Sequence, residues 1–137
     1  MKLEQQVADL GLCKKLKKLG CKQESVFCWC RRIDLPTQYE LESKRHIYDL
    51  SFQGQEFIAA FTSVELGEIL LTQDVVIETN VEVKGELPHH KFDWSVLADE
   101  RNLPYDDHSD FYVQYATEAD ARAKMLIYLL EKGIVKP

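Results

Sequence analysis

The last twenty-one residues limit the fold more than any other part of the chain. They open on Thr117-Glu118-Ala119-Asp120, run through Met125-Leu126-Ile127-Tyr128-Leu129-Leu130 and close on Glu131-Lys132-Gly133. A threonine is placed to cap the first turn, two acids sit beside the positive end of the helix dipole, and a glycine stops the helix. Ala119, Ala123, Leu126, Ile127 and Leu130 form its inner stripe. Met125 and Leu129 widen that stripe beyond what a surface helix needs. Such a helix must be covered on both flanks. Either a sheet and a loop do this within a monomer, which is the favoured reading, or the extra width meets a second copy in a homodimer through this C-terminal helix.

Two more helices carry local start signals. Asp9 is a cap for a helix with Leu12, Cys13, Leu16 and Leu19 on one face and Lys14, Lys15, Lys17 and Lys18 on the other, ending at Gly20. Thr62-Ser63-Val64-Glu65 spells a capping box, with Phe61 and Leu66 at the staple positions. It predicts a helix from Ser63 to about Leu71, in which Gly67 costs roughly 1 kcal/mol relative to alanine.

Between the helices the period changes to two. In Val26–Arg32, Val26, Cys28 and Cys30 point one way, and Phe27, Trp29 and Arg31 the other. Further strands are expected in Tyr39–Phe52, clearest at Ile47–Leu50, and in Val75–Val83, Phe92–Val96 and Phe111–Tyr115. Phe57–Phe61 reads as a strand or as the lead-in to a helix, and Asn80 is a possible break in the third strand. Strands mostly follow one another without long crossover helices. The expected fold is therefore α+β, an antiparallel or mixed sheet with about three helices packed mainly on one face, in one domain over residues 1–137.

Composition sets the broad class. A chain of 137 residues with 45% hydrophobic and 29% charged residues can bury a core without staples. It contains no apolar run long enough for a membrane span and no signal-peptide core, so a soluble cytoplasmic protein with reduced thiols is expected. The net charge of −6 is unevenly placed: residues 1–32 hold eight Lys or Arg against three acids, a balance of +5, and the remainder carries −11. The bland reading is a basic end that folds onto acidic surface or faces solvent. The sharper one is a basic patch that meets an anionic partner.

Catalytic and metal signals are weak. Cys28-Trp29-Cys30 puts two thiols on one face of a strand, where zinc would need Cys13, Cys21 or His46 to converge on them. The simpler reading is two small buried side chains facing the helix. His89-His90 and the Asp106-Asp107-His108-Ser109-Asp110 loop contain ligand and acid–base residue types but match no metal-loop, Walker or zincin pattern. No glycine loop for phosphate and no nucleophile elbow is present. No catalytic residue, metal or cofactor is assigned. Nucleic acid is the best-formed sharp reading. Lys14, Lys15, Lys17 and Lys18 with Arg31 and Arg32 could neutralise phosphates, and Phe27 and Trp29 could stack on bases. Exposure of Trp29 decides it, because a solvent-facing Phe27–Trp29 ridge beside the lysines is what such binding requires.

Three stretches carry a family resemblance: Lys14–Gly20 with Lys22–Trp29, Ala60–Leu70, and Thr117–Gly133. Together they resemble a family of small uncharacterised proteins encoded in bacteriophage and prophage regions. The resemblance implies a phage or mobile-element origin and supplies no activity or site residue. The strand after the first helix departs from the family at Cys28 and Cys30, which weakens a metal role further. The expected function is a non-enzymatic binding or regulatory module acting through a protein partner. The alternatives are a nucleic-acid accessory using the first helix and, more weakly, a metal-dependent enzyme using the His108 loop.

Overall fold

The computed structural model describes residues 2–31, 37–43, 56–73, 77–84, 91–98, 112–115 and 117–137; strands 77–84, 91–98 and 112–115 are described by their backbone. In chain order, a 3₁₀ turn Leu3–Gln5 leads to α1 (Leu10–Lys18), β1 (Phe27–Arg31), β2 (Tyr39–Ser43), β3 (Phe57–Ala59), α2 (Ser63–Thr72), β4 (Ile77–Lys84), β5 (Lys91–Ala98), β6 (Tyr112–Tyr115) and α3 (Glu118–Glu131). The fold is α+β, as its sequence pattern predicts. Every described strand pair is antiparallel, and the strands divide into two sheets, ordered β2-β1-β3 and β4-β5-β6.

Local chemistry sets the helix ends. Asp9 accepts from the Gly11 N–H at 2.7 Å, and Thr117 accepts from the Asp120 N–H at 3.1 Å. In the capping box, Thr62 Oγ1 accepts from the Glu65 N–H at 3.2 Å while Glu65 accepts from the Thr62 N–H at 2.8 Å. After α1 the chain turns at Gly20 with φ +88°, and Cys21 N–H reaches back to the Leu16 carbonyl at 3.0 Å. This closes a Schellman turn that favours glycine at its left-handed position. Gly133 takes the same role after α3, with φ +69°.

The main core gathers Cys13 and Leu16 of α1, Ile58 of β3, Phe61, Leu66 and Leu70 around α2, and the broad face of α3. Helix α3 is the shared element: it packs on α1 and α2 and also on β5 and β6, while α1 rests on β3. That explains its unusual width. Met125 and Leu129 are fully buried along with Leu126 and Ile127, so this helix keeps no apolar stripe exposed for a second copy. The extra width, expected to meet either a sheet and a loop or a second copy, is buried within the chain itself. A bond of 2.7 Å from the Asp9 N–H to the Asp120 carboxylate ties the start of α1 to the first turn of α3.

Strand β4 runs unbroken through Asn80, which pairs with Ser95. The Phe57 run is a strand, and the Tyr39 strand is described to Ser43. The expected strand at Ile47–Leu50 lies outside the described residues, as do His89-His90 and residues 106–110. Among the described residues no helix is long and apolar enough to cross a membrane.

Candidate partner-binding surface

The basic helix comes first because its charge singles it out. Three of its four lysines are engaged within the chain. Lys15 Nζ lies 2.6 Å from the Glu131 carboxylate and holds that carboxyl below its usual range. Lys17 donates to the Phe57 carbonyl at 3.0 Å and pairs with Glu56 at 3.4 Å. Lys14 sits 4.4 Å from the centre of the Tyr39 ring, a cation–π distance. Lys18 is exposed, and so is Arg31. Arg32 lies outside the described residues.

The aromatic strand does not present the ridge that base stacking needs. Trp29 is half-buried against the main core, and its indole N–H donates to the Ala8 carbonyl at 3.3 Å. Phe27 is half-buried as well. Residues opposed across an antiparallel ladder share a face, and Trp29 is opposed to Ile58, a core residue. The structure thus corrects the orientation read for the cysteines. Cys28 and Cys30 are buried, as expected, but Trp29 faces the helical core, and strand alternation puts the two thiols on the other side.

The thiols differ in setting from a metal knuckle. Cys28 and Cys30 Sγ lie 3.3 Å apart, and burial, then the neighbouring Cys28 and the carboxylates of Glu42 and Glu40, push the Cys30 thiol up. Burial pushes the Cys13 thiol up to about 12. Cys13 and Cys21 belong to the main core, on the opposite side of β1 from the Cys28–Cys30 pair. Among the described residues no three His, Cys, Asp or Glu side chains converge to hold a metal ion. His46, His89, His90, Asp106, Asp107, His108 and Asp110 lie outside the described residues.

What the charge pattern missed lies around α2. Glu65 does more than close its capping box: it also accepts from Ser25 Oγ at 2.9 Å and from the Val26 N–H at 2.9 Å. These bonds bring Val26 alongside the first turn of α2, where Val64 sits. Val26, Val64 and Leu71 are the large apolar side chains most open to water among the described residues, at 59, 66 and 60% exposure. Val64 and Leu71 are two turns apart on the same face of α2, about 10 Å along the helix, with exposed Glu68 between them.

Beside that face runs a groove of about 470 Å³. Cys21, Ile69, Leu126 and Leu130 supply its apolar lining. Glu24, Glu65 and Glu68 stand along its lining, as do Lys22 and Lys136. The heptad spacing of Val64 and Leu71 was the one signal in the sequence that could have flagged this surface. The groove itself joins segments distant in the chain and leaves no local trace. Comparison of the chain with protein-family models, with curated proteins and with solved structures found no match.

Proposed function

We infer that the chain is a non-enzymatic binding module that acts through a protein partner and uses the outer face of α2. One observation carries the reading: a capped helix holds two large apolar residues one heptad apart in water, beside a lined groove. A single exposed valine means little. An ordered apolar face next to a groove is the arrangement that helix-in-groove recognition uses. The engagement of Lys14, Lys15 and Lys17 within the chain supports the same reading, since two of these cations pair with the chain's own carboxylates and the third sits over a tyrosine ring. The cytoplasmic setting and the phage or prophage origin belong to this proposal, and the three resembling stretches support the latter. A second reading, nucleic-acid binding through Lys18, Lys22 and Arg31, keeps support from the exposure of those three residues.

A benzophenone amino acid at position 71, compared with one at position 18, tests the choice in lysate. The module reading predicts a discrete adduct from position 71 that survives nuclease and is destroyed by protease. Adducts from position 18 alone, sensitive to nuclease, would transfer the function to α1.

A further inference from the structure

The protein-binding reading leaves the chemistry of the partner open, and the charges around α2 narrow it. Glu24 and Glu68 are exposed and make no hydrogen bond or ion pair among the described residues, whereas Glu65 is consumed by Thr62, Ser25 and the Val26 N–H. Lys22 and Lys136, which also line the groove, are exposed and their side chains likewise make no ion pair among the described residues. The surface therefore offers an apolar strip with exposed carboxylates and ammonium groups beside it.

A second copy of the chain fits this surface poorly. Pairing α2 with its own copy through Val64 and Leu71 brings Glu68 against Glu68, and like charges at the centre of a helix contact are destabilising. A strand fits poorly too, because α2 presents its apolar pair with a two-turn helical repeat. We propose that the α2 face and its groove dock an amphipathic helix from another protein, one with an apolar stripe and with Arg or Lys placed to meet Glu24 and Glu68. Its apolar residues at i, i+3 or i+4 and i+7 lie along Val64 and Leu71, and one or more enter the groove over Ile69 and Leu126. Its basic residues pair with Glu24 and Glu68, which are exposed and make no ion pair among the described residues. The edge charges set which helix is accepted, and the apolar stripe supplies the affinity.

This proposal rests on the protein-binding reading, and two synthetic helices test it separately. Both carry the same leucine stripe. One has arginines along one edge and glutamates along the other; the second has glutamates along both edges. Binding is followed by amide chemical shifts at low salt, with wild-type protein, a Glu24→Lys/Glu68→Lys variant and a Val64→Asp/Leu71→Asp variant. All four positions are exposed, and a thermal melt confirms that each variant folds. The mixed-edge peptide is expected to bind with shifts on α2 and around the groove. The all-acidic peptide should bind about tenfold more weakly, the scale of two exposed charge pairs turned repulsive. The Glu24→Lys/Glu68→Lys variant should reverse the preference, and Val64→Asp/Leu71→Asp should remove binding of both. Equal binding of the two peptides, no binding of either, or a preference untouched by charge reversal overturns the proposal. So does a dimer in sedimentation that Val64→Asp/Leu71→Asp abolishes, which would make the occupant a second copy. A protein adduct from position 71 together with failed peptide binding sinks the helix class and leaves the protein-binding reading intact; loss of both removes that reading as well.

Discussion

Replacing Gly67 by alanine should destabilise the protein, although a glycine in mid-helix is ordinarily a defect. Alanine improves intrinsic helix stability by about 1 kcal/mol. At this position the added Cβ would collide with Nη1 of Arg122. That guanidinium crosses from α3 to donate to the Ser63 carbonyl at 3.0 Å and pairs with Glu118 at 2.6 Å. To admit a methyl group it must withdraw from Ser63. A hydrogen bond from a charged donor contributes about 1.5–3 kcal/mol. Setting that loss against the propensity gain leaves a net cost of about 0.5–2 kcal/mol. The sign should change once Arg122 is gone. Apart from Arg122, no described atom outside the local helix lies within 4 Å of the position the alanine Cβ would take. In an Arg122→Ala background, Gly67→Ala should therefore stabilise by about 1 kcal/mol. Urea unfolding of the four proteins gives the cycle directly, with an expected coupling of about 1.5–3 kcal/mol. If Gly67→Ala changes stability equally in both backgrounds, the guanidinium does not occupy the space this glycine leaves.

Other changes have definite expected outcomes. Glu65→Ala removes the acceptor for Thr62, Ser25 and the Val26 N–H and should cost about 2–3 kcal/mol in urea unfolding; Glu65→Gln should recover part of it. Leu126→Ala empties a fully buried core position and should cost about 2–5 kcal/mol. Cys13 links stability to alkaline pH: its folded value, about 12, lies above its ordinary 9.0. The neutral thiol thus favours the folded state fully below pH 9, and that contribution is lost as pH rises from 9 towards 12, by up to about 1.4 kcal/mol per pH unit. Urea midpoints measured across that range should fall, and Cys13→Ala should flatten the slope.

The parts of the fold that were legible in the sequence are those fixed by contacts a few residues apart. Asp9, the Thr62–Glu65 box and Thr117 each satisfy backbone N–H groups within their own first turn, so the three helices could be placed before any tertiary information. The breadth of α3 was legible too, and with it cover by a sheet, but not which strands supply that cover, because nothing near residue 125 records β5 and β6. Strand alternation in β1 gave two faces without saying which turns inward. The ladder decides that, by setting Trp29 opposite Ile58. The lysine row was visible, yet its meaning rests on Glu131, Glu56 and Tyr39, which lie in other elements. A charge run in a sequence shows where cations are and is silent on whether the chain itself has already paired them.

If the charge of α1 is used within the chain and the partner surface proposed on α2 does the binding, α1 should not hold nucleic acid. Titration of labelled single- and double-stranded DNA and RNA at low and physiological salt tests it most directly, with wild type beside a Lys14→Ala/Lys15→Ala/Lys17→Ala/Lys18→Ala variant. No salt-sensitive binding that the variant loses is expected. Tight binding at low salt, weakened by salt and abolished in the variant, would contradict it and make α1 the functional face.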